Sequence, residues 1–510
     1  MKKQTLFLAL LLLCSWAAKA QSAYPPYDFK AVNADGDTLY YRITSSSAPY
    51  TVAVTRCMDS LFHSLHAPQS ASDVGQSGYA YPLYTYDSLL SIPSEVTYDG
   101  IIYSVTSVDN EAFYLQRGIR KVVLPTTIVM IDTAAFYISS VSEIIMPNVR
   151  QISYGAFTGT PLEHVVLPDT LSWLGRMAFA GCPMNNIDIP CGVSVLQGYT
   201  FWNCPLEHIA FHEGLIEIED FAFRADKIDS LFFPSSLQKL GVMLYDTFFM
   251  PLPEIECRYV GFQEGTSPLV LGNHCLAFFK NLRTLQLPNN LVALGKSCFE
   301  LTGLDSIIIP EGVTAIPKRC FAGCDSLKSI LLPLSLETID TESFSATSQL
   351  FEITIPRQVI QFGTEVFNVG LERVTMECEL PPVIHSNTFP SYPIQFTIPC
   401  HTLASYHESP VWSEQGNFSF HEDCTLTEEY ERNPIVIYPN PTKGITHVRC
   451  NPKNACLILV YNSLGHCLLS HPVQNECSIL DLSCLPEGYY FLKVIGKQNV
   501  ENAAKIVKIN

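Results

Sequence analysis

Apolar residues along most of this chain recur in a single phrase about 22 residues long. The stretch Pro161–Phe179 contains it once. Leu162, Val165 and Leu167 form an apolar triplet ending at Pro168; Leu171 and Leu174 form a second pair; Ala178-Phe179 follows. The anchoring aromatic recurs at Phe113, Phe136, Phe157, Phe179, Phe201 and Phe223, and resumes at Phe278, Phe299, Phe321, Phe344, Phe367 and Phe389. A proline closes the triplet at Pro125, Pro147, Pro168, Pro190 and Pro234, then at Pro288, Pro310, Pro333 and Pro356. Proline lacks the N–H that a strand ladder uses, so each strand stops at the same place. One coil cannot bury its own apolar face, but stacked coils can. The pattern therefore predicts a β-rich repeat solenoid over residues 106–413.

The register breaks between residues 241 and 277. A degenerate coil with a bulged loop explains the break. A protruding loop that contacts a ligand is the functional alternative. Residues 21–105 are not repeat-like. Their alternation and the turns Asp35-Gly36 and Asp99-Gly100 predict strands at Thr38–Ile43, Thr51–Thr55, Ser94–Tyr98 and Ile101–Val105, an N-terminal β cap over the first open coil. Asn33-Ala-Asp-Gly-Asp37 has half of a calcium-loop pattern without the distal Glu, so a hairpin turn is expected there. Tyr406 and Trp412 are expected to close the other end. Residues 414–433 read as a polar linker, and 434–510 as short strands of a small C-terminal β-sandwich.

Composition adds a destination. The formal charge is −18, which gives the chain no electrostatic reason to seek nucleic acid. Lys2-Lys3, the apolar run Leu6–Trp16 and Ala18-Lys-Ala20 form a signal peptide over residues 1–20, cut between Ala20 and Gln21. No other stretch is long and apolar enough to span a membrane, so the mature chain is expected to carry no transmembrane segment. Loss of Cys14 leaves an odd number of the 18 cysteines. Cys182 and Cys204, like Cys298 and Cys320, occupy equivalent places on adjacent coils. Bridges between them are geometrically allowed, but burial as small hydrophobes is the reading adopted.

No catalytic or cofactor signature is present: no H-E-x-x-H, G-x-S-x-G, P-loop or G-x-G-x-x-G. His63 and His66 lack a third metal ligand, and His164 and His208, two coils apart, are too distant to share a metal. No enzyme, metal or cofactor is expected. Binding remains. In each strand the positions between the apolar ones face outward, so Glu163, His164, Val166, His208, Phe232, Ile308 and Leu331 form a candidate binding face. The apolar members of that face are equally explained by β-propensity or by burial under another layer.

The repeats resemble the BspA-like leucine-rich repeats of bacterial surface proteins. Ala178-Phe-Ala-Gly-Cys182, Cys320-Phe-Ala-Gly-Cys324 and Leu304-Asp-Ser-Ile-Ile-Ile-Pro310 carry the resemblance over roughly residues 106–412. The C-terminal unit resembles the type A sorting domain of the type IX secretion system found in Bacteroidota. Tyr438-Pro439-Asn440-Pro441-Thr-Lys-Gly444, Asp481-Leu482-Ser483, Leu485-Pro-Glu-Gly488-Tyr489 and the tail from Lys505 to Lys508 carry that resemblance. It implies export to the periplasm, then passage of the outer membrane by the type IX machinery acting through 434–510. It also implies frequent removal of the domain and attachment to surface lipopolysaccharide. The domain's five cysteines depart from the family pattern and leave its disulfide state open. Several Asp-Ser/Thr-apolar triplets, Asp229-Ser230-Leu231 among them, resemble an O-glycosylation signal of the same bacteria, although turn chemistry explains them equally. The expected protein is a secreted, surface-attached leucine-rich-repeat binder of host protein, bacterial partner or glycan. Alternatives are a scaffold for nutrient capture and an enzyme with an unrecognised site in 241–277.

Overall fold

The structure is a computed structural model that describes residues 27–56, 88–225, 227–243, 255–414, 417–424, 436–438, 440, 442–449, 455–461, 467–473, 475, 477–496 and 501–508. The expected signal peptide, Ala20, Gln21, His63 and His66 lie outside these residues, as do Pro439 and Pro441. The chain is a β-solenoid of about 13 turns, with N-terminal strands and C-terminal sheets. It forms two compact units: residues to Val193 with Tyr199–Cys204, and Ser194–Gly198 with Pro205 onward.

In the first unit, Phe29–Val32, Thr38–Ser45 and Thr51–Thr55 form an antiparallel run. Thr51–Thr55 then pairs in parallel with Ile101–Val108. That last strand runs past the expected end of the cap, and its tip pairs with Met130–Ile131. Cap and solenoid therefore share a strand, which pairs one of the edges that the first coil would leave open. At the Asn33 turn, Oδ1 accepts from the N–H groups of Asp35 (3.1 Å) and Asp37 (2.8 Å), the expected turn chemistry.

Each coil contributes to two parallel ladders. In the first unit one ladder joins Leu89–Ser91, Lys121–Val123 and Glu143–Ile145; the other joins Met130–Ile131, Gln151–Ile152 and Trp173–Leu174. The second unit repeats the scheme, for example Ser306–Ile308 on Ser329–Leu331 and Ala315–Ile316 on Thr338–Ile339 on Gln361–Phe362. Two expected strands are missing: residues 161–170, including the triplet of the repeat, form no strand, although Leu162 and Leu167 are still buried, and residues 282–287 keep only an isolated bridge from Thr284 to Ser306.

The third side of the coil carries the phenylalanines. Phe113, Phe136, Phe157 and Phe179 stack with ring centroids 5.1–5.2 Å apart, and Phe299, Phe321, Phe344, Phe367 and Phe389 at 5.2–5.4 Å. Each such pair adds about 0.5–1.5 kcal/mol beyond its buried area. The backbone turns sharply around each ring. Residues two before and two after Phe136 and Phe179 have positive φ: Ala134 and Ile138, Met177 and Gly181. For Ile138, with a β-branched side chain, this conformation is strained. Hydrogen bonds between coils offset the strain: the Phe136 N–H donates to the Ala156 carbonyl (2.8 Å) and the Ile138 N–H to the Thr158 carbonyl (2.7 Å).

The cysteines belong to this same arrangement. Three residues after the ring, Cys182 donates its S–H to the Phe157 carbonyl of the preceding coil (3.2 Å), Cys204 to Phe179 (3.1 Å) and Cys324 to Phe299 (3.1 Å). Threonine does comparable work within its own coil, as Thr160 donates to Phe157 (2.8 Å). These cysteines are unbridged and add a second donor to buried carbonyls that already accept a backbone N–H. Burial pushes the Cys182 thiol up to about 12 and the Cys324 thiol up to about 11.

Two expectations need correction at the register break and at the C-terminal end. The ring position after the break is held by Leu276, not Phe278. The positive-φ pair is His274 and Phe278, and the Leu276 N–H donates to Cys298 (3.0 Å) as the Phe299 N–H donates to Cys320. The break itself is one long coil. Along the second ladder Lys239 pairs with Val270, whereas the step before pairs Glu217 with Lys239. Part of it, residues 244–254, lies outside the described residues. The expected linker 414–433 contains a strand, Phe418–Asp423, parallel to Ile394–Pro399 and tied to it by the disulfide Cys400–Cys424. Two short helices, Leu403–Glu408 and Pro410–Glu414, put Tyr406 and Trp412 under the last coil. Their polar tips are satisfied: Tyr406 Oη donates to Cys378 (3.1 Å) and Trp412 Nε1 to Pro382 (2.8 Å).

The C-terminal sandwich packs a sheet of Val436–Tyr438, Ile445–Arg449 and Cys477–Asp481 against a sheet of Cys467–Pro472, Ala455–Tyr461, Gly488–Gly496 and Glu501–Lys508. Val448, Ile458, Val460, Leu480, Tyr490, Leu492 and Ile506 are in its core.

Truncating a ring in mid-stack, Phe157→Ala, should cost about 3–5 kcal/mol. Phe157→Leu should cost less than half of that, because Leu276 fills the same position in its own coil. Denaturant melts followed by circular dichroism measure both. Under native conditions a thiol reagent should modify the exposed Cys191 and Cys484 quickly and the buried Cys182 and Cys324 only after denaturation. Peptide mapping reads the order.

Candidate binding face

The outward positions of the first ladder fall in both units and are described unit by unit. In the first unit Glu163, His164 and Val166 are all exposed, Val166 at 85%. The missing strand at this coil explains so large an exposure, because no ladder holds the segment flat. Nearby strands present Ile145, also exposed, and the pair Lys121–Glu143 (2.6 Å). An ion pair this exposed contributes at most about 1 kcal/mol.

In the second unit His208 is exposed, and Phe232 is 64% exposed in the strand Ser230–Phe233. The strand alternates strictly: Leu231 and Phe233 are buried while Phe232 points out. Its partner strand supplies Gly261 directly opposite Phe232. A Cβ on Gly261 would sit 2.8 Å from Phe232 Cδ1 and 3.2 Å from Cε1. The ring therefore reaches across the neighbouring backbone in a space only glycine leaves open. Tyr259, 59% exposed and opposite Ser230, lies on the same partner strand. At the edge of this aromatic pair Asp229 and Arg258 form an exposed ion pair at 3.6 Å. The sequence reading named Phe232 but missed Tyr259 and Gly261, because the register break hid which residues lie opposite Phe232. Ile308 and Leu331 are only partly exposed.

In the second unit the surface around Phe232 offers aromatic faces, the Asp229 carboxylate, the Arg258 guanidinium and the His208 imidazole. Among the described residues no group of three or more His, Cys, Asp or Glu is placed to hold a metal ion, and no helix is long and apolar enough to cross a membrane.

The sorting-domain residues serve its fold. Gly444 stands where a Cβ would meet Ser483 Oγ at 2.5 Å, and its carbonyl accepts from the Leu482 N–H (2.8 Å). Asp481 caps its own turn by accepting from the Ser483 N–H (2.8 Å); the Ser483 side chain and this N–H hold its carboxyl below the usual range. Leu482 is in the core cluster; Gly488, at φ 152°, begins a core strand; Asn440 is exposed. Lys505 and Lys508 lie in the last strand, where Lys508 is buried.

A family model described as the BspA type leucine-rich repeat region matches in 6 copies over residues 94–182, 150–250 and 262–371. The chain belongs to this family. A second model, the secretion system C-terminal sorting domain, matches residues 436–509. That domain indicates secretion across the outer membrane to the cell surface or the extracellular space. The chain is similar to three solved structures among others. A leucine-rich repeat protein from Bacteroides ovatus is 20% identical, with 78% of this chain and 100% of that one covered and a TM-score of 0.45. A leucine-rich cell surface protein from Faecalibacterium prausnitzii is 15% identical, covering 80% and 98%, with a TM-score of 0.39. The pneumococcal vaccine antigen PcpA is 17% identical, covering 78% and 98%, with a TM-score of 0.39. No curated protein matches the chain.

Removing residues 436–509 should leave the protein in the periplasm, as read by fractionation and surface labelling. Undiminished surface display of the truncated chain would contradict the sorting role.

Proposed function

We propose that this secreted leucine-rich-repeat protein is a non-enzymatic binding protein that recognises a protein or glycan through the outward face of its first ladder. The observation that supports this reading is the exposed aromatic pair Phe232 and Tyr259 on adjacent strands, with Gly261 leaving room for the Phe232 ring. Large exposed aromatics held by a rigid sheet lose little conformational entropy on binding and dominate recognition energetics. Both ligand classes use such faces: proteins through apolar anchors, saccharides by stacking a ring's C–H face on the aromatic. Asp229, Arg258 and His208 supply hydrogen-bonding groups on the same unit. The ladder is built on strands whose inward residues are locked in the core, so the outward residues are positioned before any ligand arrives.

The test is an array of glycans and of host and bacterial surface proteins probed with the secreted chain. For a ligand so found, Phe232→Ala and Tyr259→Ala should each weaken binding by about tenfold or more, the size of an aromatic hot spot. Both residues are exposed, so neither change should move the melting temperature. Full affinity in the double variant would remove this face from the account.

A further inference from the structure

Part of the outer face of the sorting domain, around Tyr438, His447 and Arg449, is buried where an isolated sandwich would leave it wet, while Ile445 and Ile479 on the same face stay exposed. In Ile445–Arg449, Thr446 and Val448 point into the sandwich and are fully buried. By strand alternation Ile445, His447 and Arg449 point away from that core. Yet His447 is only 4% exposed and the Arg449 side chain 14%. The neighbouring strand behaves alike: Ile437 packs on the core, and Tyr438, on the opposite face, is 5% exposed. What covers these residues is the repeat region of the same unit. A narrow cleft is lined on one side by Gln286, Ile308 and Pro310, and on the other by Tyr438, Ile445 and His447. Beside it Arg449 forms an ion pair with Glu311, whose carboxylate is held by the N–H groups of Leu334 (3.2 Å) and Ser335 (3.3 Å). Burial pushes the His447 imidazole below its usual range and the Glu377 carboxyl above its own; the Glu264 charge partly offsets the first shift and the Arg449 charge the second.

We propose that the sorting domain docks on its own passenger. The sheet bearing Tyr438, His447 and Arg449 faces the first ladder at Ile308 and Pro310 and leaves Gln286 at the open rim of the cleft, so access to this part of the face is narrowed while the domain is attached. Charge complementarity supports the pairing. The solenoid side offers Glu264, Glu311 and Glu377. The sorting domain is the part of this acidic chain in which Lys and Arg outnumber Asp and Glu. Ile308 lines the cleft and is partly exposed, whereas Phe232, at the same strand position in another coil, is 64% exposed. The inference does not depend on the binding role proposed above, since it concerns only which surface the domain occupies.

Hydroxyl-radical footprinting of the full chain, read by mass spectrometry, tests it. In the wild-type protein Tyr438 should be oxidised severalfold more slowly than Tyr259. Glu311→Arg should raise oxidation at Tyr438 and Ile308 severalfold and leave Phe232 unchanged. The reciprocal pair Glu311→Arg with Arg449→Glu should bring both back toward the wild-type rate. Because Glu311 lies in the repeats, its replacement leaves the core of the sandwich intact. Two results would overturn the proposal. One is Tyr438 as reactive as Tyr259 in the wild-type chain. The other is a Glu311→Arg pattern that the reciprocal change does not reverse.

Discussion

The solenoid depends on one constraint: no coil has a core of its own. Every apolar side chain that points inward meets the equivalent side chain one coil away, at the strand spacing of about 4.8 Å. The phenylalanine stack makes this visible. Phe136 lies between Phe113 and Phe157 with nearly parallel rings on both sides. The backbone obeys the same rule, because the N–H of Phe136 finds its acceptor in the next coil and not in its own. Strained residues such as Ile138 are tolerated because those bonds exist. Where stacking ends, something else must replace it. A shared strand does so at the N-terminal end; Tyr406, Trp412 and the disulfide-tied strand Phe418–Asp423 do so at the other.

Most of this was legible in the sequence because stacking imposes it. A position that must meet its own copy in every coil becomes periodic, and Phe157, Phe179 and Pro168 could be read directly. The misses share a cause. Leu276 was hidden because the anchor was sought as an aromatic, whereas the stack requires only an apolar group of suitable reach. The signal was the cysteine before it, since Cys275-Leu276 aligns with Cys298-Phe299 and Cys320-Phe321. The strand Phe418–Asp423 was hidden by the acidic residues around it, although Phe418 and Phe420 alternate with polar residues as an end strand should. Val166 occupies a strand position without a strand, and nothing in the local pattern distinguishes it from Ile145 or Ile308.

The candidate face was legible only in outline. Alternation tells which residues point outward, but not which of them are covered. Phe232 and Ile308 hold the same place in the repeat. One is open beside Tyr259, and the other meets the sorting domain. That difference arises from residues distant in sequence, Tyr259 and Gly261 for the first and Tyr438, His447 and Arg449 for the second. The repeat thus builds a uniform scaffold, and its interruptions give particular coils an identity. The sorting domain supplies the destination, the cell surface or beyond.

If recognition belongs to the first ladder, the second ladder must be silent, although it too exposes apolar residues such as Ile216, Val270 and Val292. The direct measurement compares the affinity of two sets of variants for the ligand found on the array. One set replaces His208, Phe232 and Tyr259 by Ala; the other replaces Ile216, Val270 and Val292 by Ser. The account predicts that binding is lost in the first set and retained in the second. Loss confined to the second set would contradict it.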